Sequence, residues 1–154
     1  MKEEILKTPF GLFKLLSEKN EILSLEFVWD KKLKETNPQT SFAKDVKKQL
    51  IEYFSGKRKK FDLKVSVNGT HFQKKVWDVV SKIPFGKTLT YKDVAEKLGN
   101  KNLSRAVGQA LKSNKVVIII PCHRVIAKNG IGGFSGKSHQ NIKKKLLNLE
   151  GVII

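Results

Sequence analysis

A single cysteine, Cys122, occurs in 154 residues, so no disulfide can form within the chain, which fits a reducing compartment. No apolar run approaches membrane-spanning length, and the start, Met1-Lys2-Glu3-Glu4-Ile5, lacks the apolar stretch of a signal peptide. Both absences lead to the expectation of a soluble, cytoplasmic protein. Acidic residues are also scarce, 14 against 31 lysines and arginines, which leaves a net charge of +17 and a pI near 10. The deficit is uneven. Residues 1–85 hold 18 basic and 11 acidic side chains, a net +7, whereas residues 86–154 hold 13 and 3, a net +10. Carboxylates are too few in the second half for ion-pair networks to account for the lysines. Such a field attracts polyanions, of which nucleic acid is the commonest inside a cell.

What is present is enough for a true core, with 40% hydrophobic residues. Residues 8–28 have the pattern of a hairpin, opened by Thr8-Pro9-Phe10-Gly11 and turned at Glu18-Lys19-Asn20-Glu21, with Leu23, Leu25 and Phe27 alternating on one face. Lys31 to Thr40 is polar and contains Pro38, so a loop is expected. Ser41 is positioned to cap a helix with Val46, Leu50, Tyr53 and Phe54 on one stripe. Phe61, Leu63, Val65 and Val67 alternate as a further strand, after which Asn68-Gly69 forms a turn. Residues 1–67 therefore make a small α/β domain, a sheet plus a helix, without visible chemistry, and residues 68–154 a second domain.

The second domain opens with Thr70-His71-Phe72-Gln73, a capping box. His71 at this exposed start is a surface residue rather than a ligand. The helix ends at Ile83-Pro84-Phe85-Gly86. Thr90 caps another helix whose inner face is Tyr91, Val94, Ala95 and Leu98; Gly99 to Asn102 forms a turn, and Ser104 caps a second helix that buries Val107 and Leu111. Two short helices about a glycine-containing turn fit a helix-turn-helix. On its exposed side the second helix carries Arg105 with the small residues Ala106, Gly108 and Ala110. A glycine inside a helix costs about 0.8–1 kcal/mol relative to alanine, so its presence implies close approach by a neighbouring helix or a nucleic-acid groove.

Cys122 lies in Pro121-Cys122-His123-Arg124, directly after Val116 to Ile120, an arrangement that holds a sulfur at the floor of a pocket. Thiolates are the nucleophilic form, and neighbouring imidazole and cationic groups are expected to lower the thiol pKa. Gly130, Gly132, Gly133 and Gly136 make a loop able to shape itself around a flat ligand. A last helix is expected from about Ser138 to Leu149, burying Ile142, Leu146 and Leu149, with Lys143-Lys144-Lys145 favourable at its negative end and Glu150 unfavourable there unless it finds a partner such as a histidine beside the thiol.

Taken together, Pro121-Cys122-His123-Arg124-Val125, the preceding Ser104-Arg105-Ala106-Val107-Gly108-Gln109-Ala110 with Asn114, Ile83 to Lys87, Thr90-Tyr91 and the closing Glu150-Gly151 resemble the O6-alkylguanine-DNA alkyltransferases. The resemblance runs from about Phe72 to Gly151. It implies an α+β fold, with the small N-terminal α/β domain followed by a mainly helical C-terminal domain bearing a winged-helix-like helix-turn-helix that binds DNA. It implies Cys122 as alkyl acceptor, His123 as base acting through water, Glu150 as its orienting carboxylate and Tyr91 as proton donor to the departing guanine. Val125, Ser135, Phe134 and Asn114, with Tyr91, fall at substrate-binding positions. Arg105 is placed as the finger that replaces a flipped nucleotide, and Ser104, Ala106, Gly108, Ala110 and Thr90 on the minor-groove side of double-stranded DNA. The expected protein is a monomer acting once per molecule, with no cofactor. Some members carry an N-terminal zinc site; with no cysteine before Cys122 and no histidine before His71, no metal is expected here.

Two other readings compete. A non-catalytic lesion-binding protein of this kind lacks the acceptor cysteine, which is present here. A helix-turn-helix regulator requires dimerisation, for which no interface is legible.

Overall fold

The computed structural model describes residues 1–30, 32–130 and 140–153. Strands β1 (Lys2–Thr8), β2 (Gly11–Glu18) and β3 (Glu21–Val28) form an antiparallel meander. The expected hairpin is thus the second half of a three-stranded sheet, and Thr8 to Gly11 is the turn between β1 and β2. The first strand escapes a pattern reading because charged Lys2, Glu3 and Glu4 open it. Yet Glu4 is fully buried, its carboxylate accepting from the Thr40 amide and the Thr40 hydroxyl, each at 2.8 Å.

That threonine also caps α1 (Ser41–Phe54): its hydroxyl accepts from the Ala43 amide at 3.1 Å, so Thr40 is the cap and Ser41 the first helical residue. Ala43, Val46, Leu50 and Tyr53 recur at helical spacing and bury against the sheet's Leu6, Phe13, Leu15, Ile22 and Leu25. Residues 61–67 do not form the expected strand. They alternate between half-buried and exposed, as the sequence suggests, but engage β3 only at Ile22, which donates to the Lys64 carbonyl and accepts from the Ser66 amide. Two hydrogen bonds make an isolated bridge, not a ladder.

The chain divides into two compact units, one comprising Met1–Asn68 with Lys115–Val117, the other Gly69–Asn114 with Ile118–Ile154. In the second unit, α2 (His71–Ser81) begins with the full capping box between Thr70 and Gln73. Its Val76, Trp77 and Val80 are buried, and the Trp77 indole donates to the Ala110 carbonyl at 2.9 Å. A two-residue strand β4 (Leu89–Thr90) leads into α3 (Tyr91–Lys97), where Thr90 and Asp93 form a second capping box. Gly99, at φ +97°, ends this helix in the left-handed region that favours glycine. A 3₁₀ turn (Lys101–Leu103) precedes α4 (Ser104–Lys112). Ser104 is not the cap. Leu103 occupies that position without a side-chain bond, and the Ser104 hydroxyl donates backward to the Lys101 carbonyl. A second 3₁₀ turn (Cys122–Arg124) runs straight into β5 (Val125–Ile126), which pairs in parallel with β4. The last helix, α5, spans Gln140–Leu149.

No helix among the described residues is long and apolar enough to cross a membrane.

Candidate active site

The parallel pairing of Leu89 with Val125 and Thr90 with Ile126 determines what meets at the centre of the second unit. Because β4 ends where α3 begins and β5 starts where the Cys122–Arg124 turn ends, two residues of ladder hold the first residue of α3, Tyr91, near the cysteine turn. Asn114, just beyond α4, completes the support. Its amide donates to the Ile120 carbonyl at 2.9 Å and to the Cys122 sulfur at 3.2 Å. Ile118 lies between them at φ +71°, an unfavourable conformation for a β-branched residue, and is held there by nearly complete burial. The apolar run therefore bends into the site instead of continuing as a strand.

Cys122 is 5% exposed. Burial pushes its thiol up to about 11, against smaller downward influences from the Asn114 amide and the charge of Lys143. This corrects the expectation of a thiol acidified by its flanking His and Arg. Both of those side chains point to Glu150 instead. His123 Nε2 lies 2.7 Å from one carboxylate oxygen, and the Arg124 guanidinium forks onto the same carboxylate at 2.7 and 3.0 Å. The Gly86 amide adds a longer bond of 3.3 Å, and Arg124 also donates to the Ile83 carbonyl at 2.7 Å. Glu150 thus finds the histidine partner that its sequence position demands, and an arginine that sequence reasoning missed.

This geometry settles the roles of the imidazole nitrogens. A carboxylate ion-paired with Arg124 accepts, so the hydrogen resides on Nε2 and Nδ1 keeps a lone pair. Nδ1 is buried with no hydrogen-bond partner among the described residues. Burial, outweighing the Glu150 carboxylate, holds His123 below its ordinary pKa, so it is a neutral imidazole at neutral pH.

Helix α5 differs from its expected orientation. Ile142 and Leu149 are only half-buried, and the inner stripe is Lys143, Leu146, Leu147 and Glu150, a spacing of three, four and seven. The lysines are not in the last turn. One of them, Lys143, is fully buried and donates to the Val125 carbonyl at 2.6 Å. The signal was available: Lys143 stands three residues before Leu146, on the face that must go inside.

On α4 the exposed line is Arg105, Gln109 and Lys112, with Ser104, Ala106 and Gly108 half-buried beside it. Ala110, expected on this surface, is instead buried, since its turn of the helix packs on Trp77. A methyl added at Gly108 meets nothing closer than the Tyr91 ring at 4.0 Å, so internal packing does not require the glycine. Thr90 is half-buried, its hydroxyl engaged by the Asp93 amide. Phe134 and Ser135 lie outside the described residues. Among the described residues, no group of three or more His, Cys, Asp or Glu side chains could hold a metal ion.

Two family descriptions match the chain in succession: the 6-O-methylguanine DNA methyltransferase ribonuclease-like domain over residues 1–67 and its DNA-binding domain over 71–152. The chain is 40% identical to the methylated-DNA–protein-cysteine methyltransferase of Methanosarcina acetivorans, covering 96% of each, and 40% identical to the constitutive enzyme of Bacillus subtilis, covering 95% of this chain and 93% of that one. It also resembles the crystal structure of Mycobacterium tuberculosis OGT in complex with DNA, with a TM-score of 0.83 and 32% identity over 97% of this chain and 92% of that one. With the cysteine turn, the buried His-Glu-Arg cluster and both matched regions in one sequence, the chain belongs to the 6-O-methylguanine DNA methyltransferase family.

Proposed function

We propose that this protein repairs DNA by direct reversal, moving the alkyl group of O6-alkylguanine irreversibly onto Cys122, once per molecule. The observation that carries this reading is the buried relay in which Glu150, paired with Arg124, fixes the His123 tautomer and leaves the Nδ1 lone pair without a partner among the described residues, next to the residue bearing the thiol. A thiol raised to about 11 is stable at rest and needs such a base at the moment of reaction.

The displacement balances as follows. The Cys122 proton passes to His123 Nδ1, through a bridging water where the two are not in direct reach. Sulfur attacks the alkyl carbon, the S–C bond forms, the C–O6 bond breaks, and the electron pair leaves with guanine. The Tyr91 hydroxyl gives that base its proton, and the proton held by His123 restores Tyr91. No cofactor enters, and the thioether product has no route back to thiol, which makes the protein a single-use acceptor. Asn114 holds the sulfur and the Ile120 carbonyl in a common orientation, and the backbone around Val125 reads the edge of the base.

A guanine inside a duplex is out of reach of a buried sulfur, so the nucleotide is flipped out. Arg105, exposed at the start of α4, fills the vacated space, and the small Ala106 and Gly108 let α4 approach the minor groove. The +17 charge makes this binding largely independent of sequence and sensitive to salt. The protein acts as a monomer in the cytoplasm, on chromosomal DNA.

Titration of the protein into duplex DNA bearing O6-methylguanine tests the proposal. Restored guanine equals protein added, mole for mole, and stops there; continued turnover refutes single use. Arg105→Ala slows transfer from the duplex at least about tenfold, by loss of the few kcal/mol that hold a base unstacked, and leaves transfer from free O6-benzylguanine unchanged. Equal losses in both assays remove the finger role.

A further inference from the structure

A half-open cleft of about 420 Å³ lies in the second unit, and none of the residues of the proposed relay lines it. Its walls come from the end of α2, the turn that leads from there to β4, and the end of α3. Half-buried Val79 and Leu89, nearly buried Ile83 and exposed Pro84 make its apolar part. Three exposed lysines, Lys82, Lys87 and Lys97, complete the lining, and no carboxylate belongs to it. Asp78 pairs with Lys82 at 3.3 Å, but both side chains are largely solvated, and such a pair holds its lysine weakly. The turn at the back of the cleft is fixed on the rest of the unit. The Arg124 guanidinium donates to the Ile83 carbonyl at 2.7 Å, and the Gly86 amide to Glu150 at 3.3 Å. The Lys87 amide closes the turn on the Pro84 carbonyl at 3.1 Å, and Leu89 is paired with Val125. The cleft is therefore preformed, and an occupant orders little chain on binding.

Apolar surface and one-sided positive charge in the same place select an occupant that carries both complements. A phosphate backbone answers the lysines and leaves Val79, Ile83 and Leu89 in water. A neutral apolar ligand answers those three and leaves the lysines without counter-charge. An acidic peptide with a large apolar side chain answers both, because a half-open cleft admits the side chain and keeps the peptide backbone outside, beside the ammonium groups. We propose that this cleft docks an acidic segment of a partner protein. One or two large apolar side chains of the segment seat on Val79, Ile83 and Leu89, and its flanking carboxylates meet Lys82, Lys87 and Lys97. The carboxylates steer the approach and set the specificity, while the seated side chain supplies most of the affinity. No residue of α4 lines the cleft, so the segment and the DNA proposed for α4 engage different residues. The inference does not depend on the reading of Cys122 as acceptor.

The probe is a fluorescein-labelled peptide of six aspartates followed by leucine and phenylalanine, its binding to the full chain read by anisotropy. Replacing the leucine and phenylalanine by serine weakens binding at least about tenfold, the loss expected when one large apolar side chain is no longer buried. Lys87→Glu and Lys97→Glu each weaken it about fivefold, by removing one exposed attraction and adding a repulsion. Lys60→Glu, the same change of net charge in the first unit, alters it less than about twofold. In amide NMR spectra the peptide shifts Val79, Thr88 and Leu89. Equal binding of the parent and serine peptides, or equal losses in all three lysine variants, reduces the interaction to attraction by the +17 charge and overturns the proposal. Undamaged duplex DNA that shifts the same amides, and that Lys87→Glu and Lys97→Glu weaken as much as they weaken the peptide, gives the cleft to nucleic acid and overturns it too. So does self-association of the protein in sedimentation that Lys87→Glu abolishes, which makes the occupant a second copy of this chain.

Discussion

Each unit of this protein buries a glutamate, and the two are held in different ways. In the first, Glu4 accepts from the backbone and hydroxyl of Thr40, neutral donors that belong to a helix cap. In the second, Glu150 is gripped by a guanidinium and by an imidazole that can change its charge. The Glu4 arrangement joins β1 to the start of α1 and can do nothing else, since none of its partners titrates in the physiological range. The Glu150 arrangement has an ion pair to stabilise the carboxylate and a histidine whose other nitrogen is free to take a proton. Burial of a carboxylate is therefore not itself a sign of chemistry; the titration behaviour of its partners is.

Substituting both glutamates gives the largest expected effect and tests this distinction. Glu150→Gln leaves the Arg124 charge buried and unmatched, costing about 3–5 kcal/mol of stability, and removes the group that fixes the His123 tautomer, lowering the rate of methyl transfer at least about a hundredfold. Glu4→Gln costs about 1–3 kcal/mol, the penalty for a disturbed buried hydrogen bond, and leaves transfer by the folded protein unchanged. Urea unfolding and single-turnover assays measure both. A comparable loss of transfer in the two variants erases the contrast.

The next effect sharpens it through pH. Burial lowers His123 from its ordinary value, so below that value the unfolded chain binds a proton that the folded protein does not. Stability is full above the ordinary histidine range and declines as pH falls through it toward the lowered folded value. Urea midpoints measured from about pH 7.5 down to about 5.5 fall more steeply in the wild type than in His123→Gln. Parallel declines in the two proteins contradict a neutral, buried imidazole.

The smallest effect concerns α4. Gly108→Ala stabilises the fold by about 0.5–1 kcal/mol, because a methyl there has room and helical glycine is unfavourable. It weakens duplex binding severalfold, because in the proposed complex the methyl stands where the minor groove approaches. Unchanged affinity in a salt titration assigns the glycine to neither fold nor DNA.

How far the sequence discloses all this depends on the range of the forces involved. Local devices were legible: the capping box at Thr70 and Gln73, the cap at Thr90, and the inner face of α3 at Val94 and Ala95 follow from residues three or four apart. Cap positions decided by tertiary contacts were not. Thr40 wins over Ser41 because Glu4, distant in sequence, accepts its hydroxyl and amide, and Ser104 yields to a 3₁₀ turn begun by Asn100. Of the proposed site, Cys122, His123, Glu150, Tyr91 and Asn114 come from the family resemblance that their order and spacing carry. Arg124 does not, because a buried cation is identified by its partner and Glu150 comes from another part of the chain; the burial of Lys143 is legible from its place three residues before Leu146, but the Val125 carbonyl that it meets is not. For the same reason the thiol pKa was misjudged: neighbours in sequence suggested cations beside the sulfur, whereas in space Arg124 turns away to Glu150 and desolvation dominates.

The most direct measurement is peptide mapping by mass after incubation with duplex DNA bearing O6-methylguanine. The account predicts a single added methyl on the peptide containing Cys122, matched by restored guanine in the DNA and absent from the Cys122→Ser variant. Restored guanine with an unmodified Cys122, or a methyl on any other residue, contradicts it.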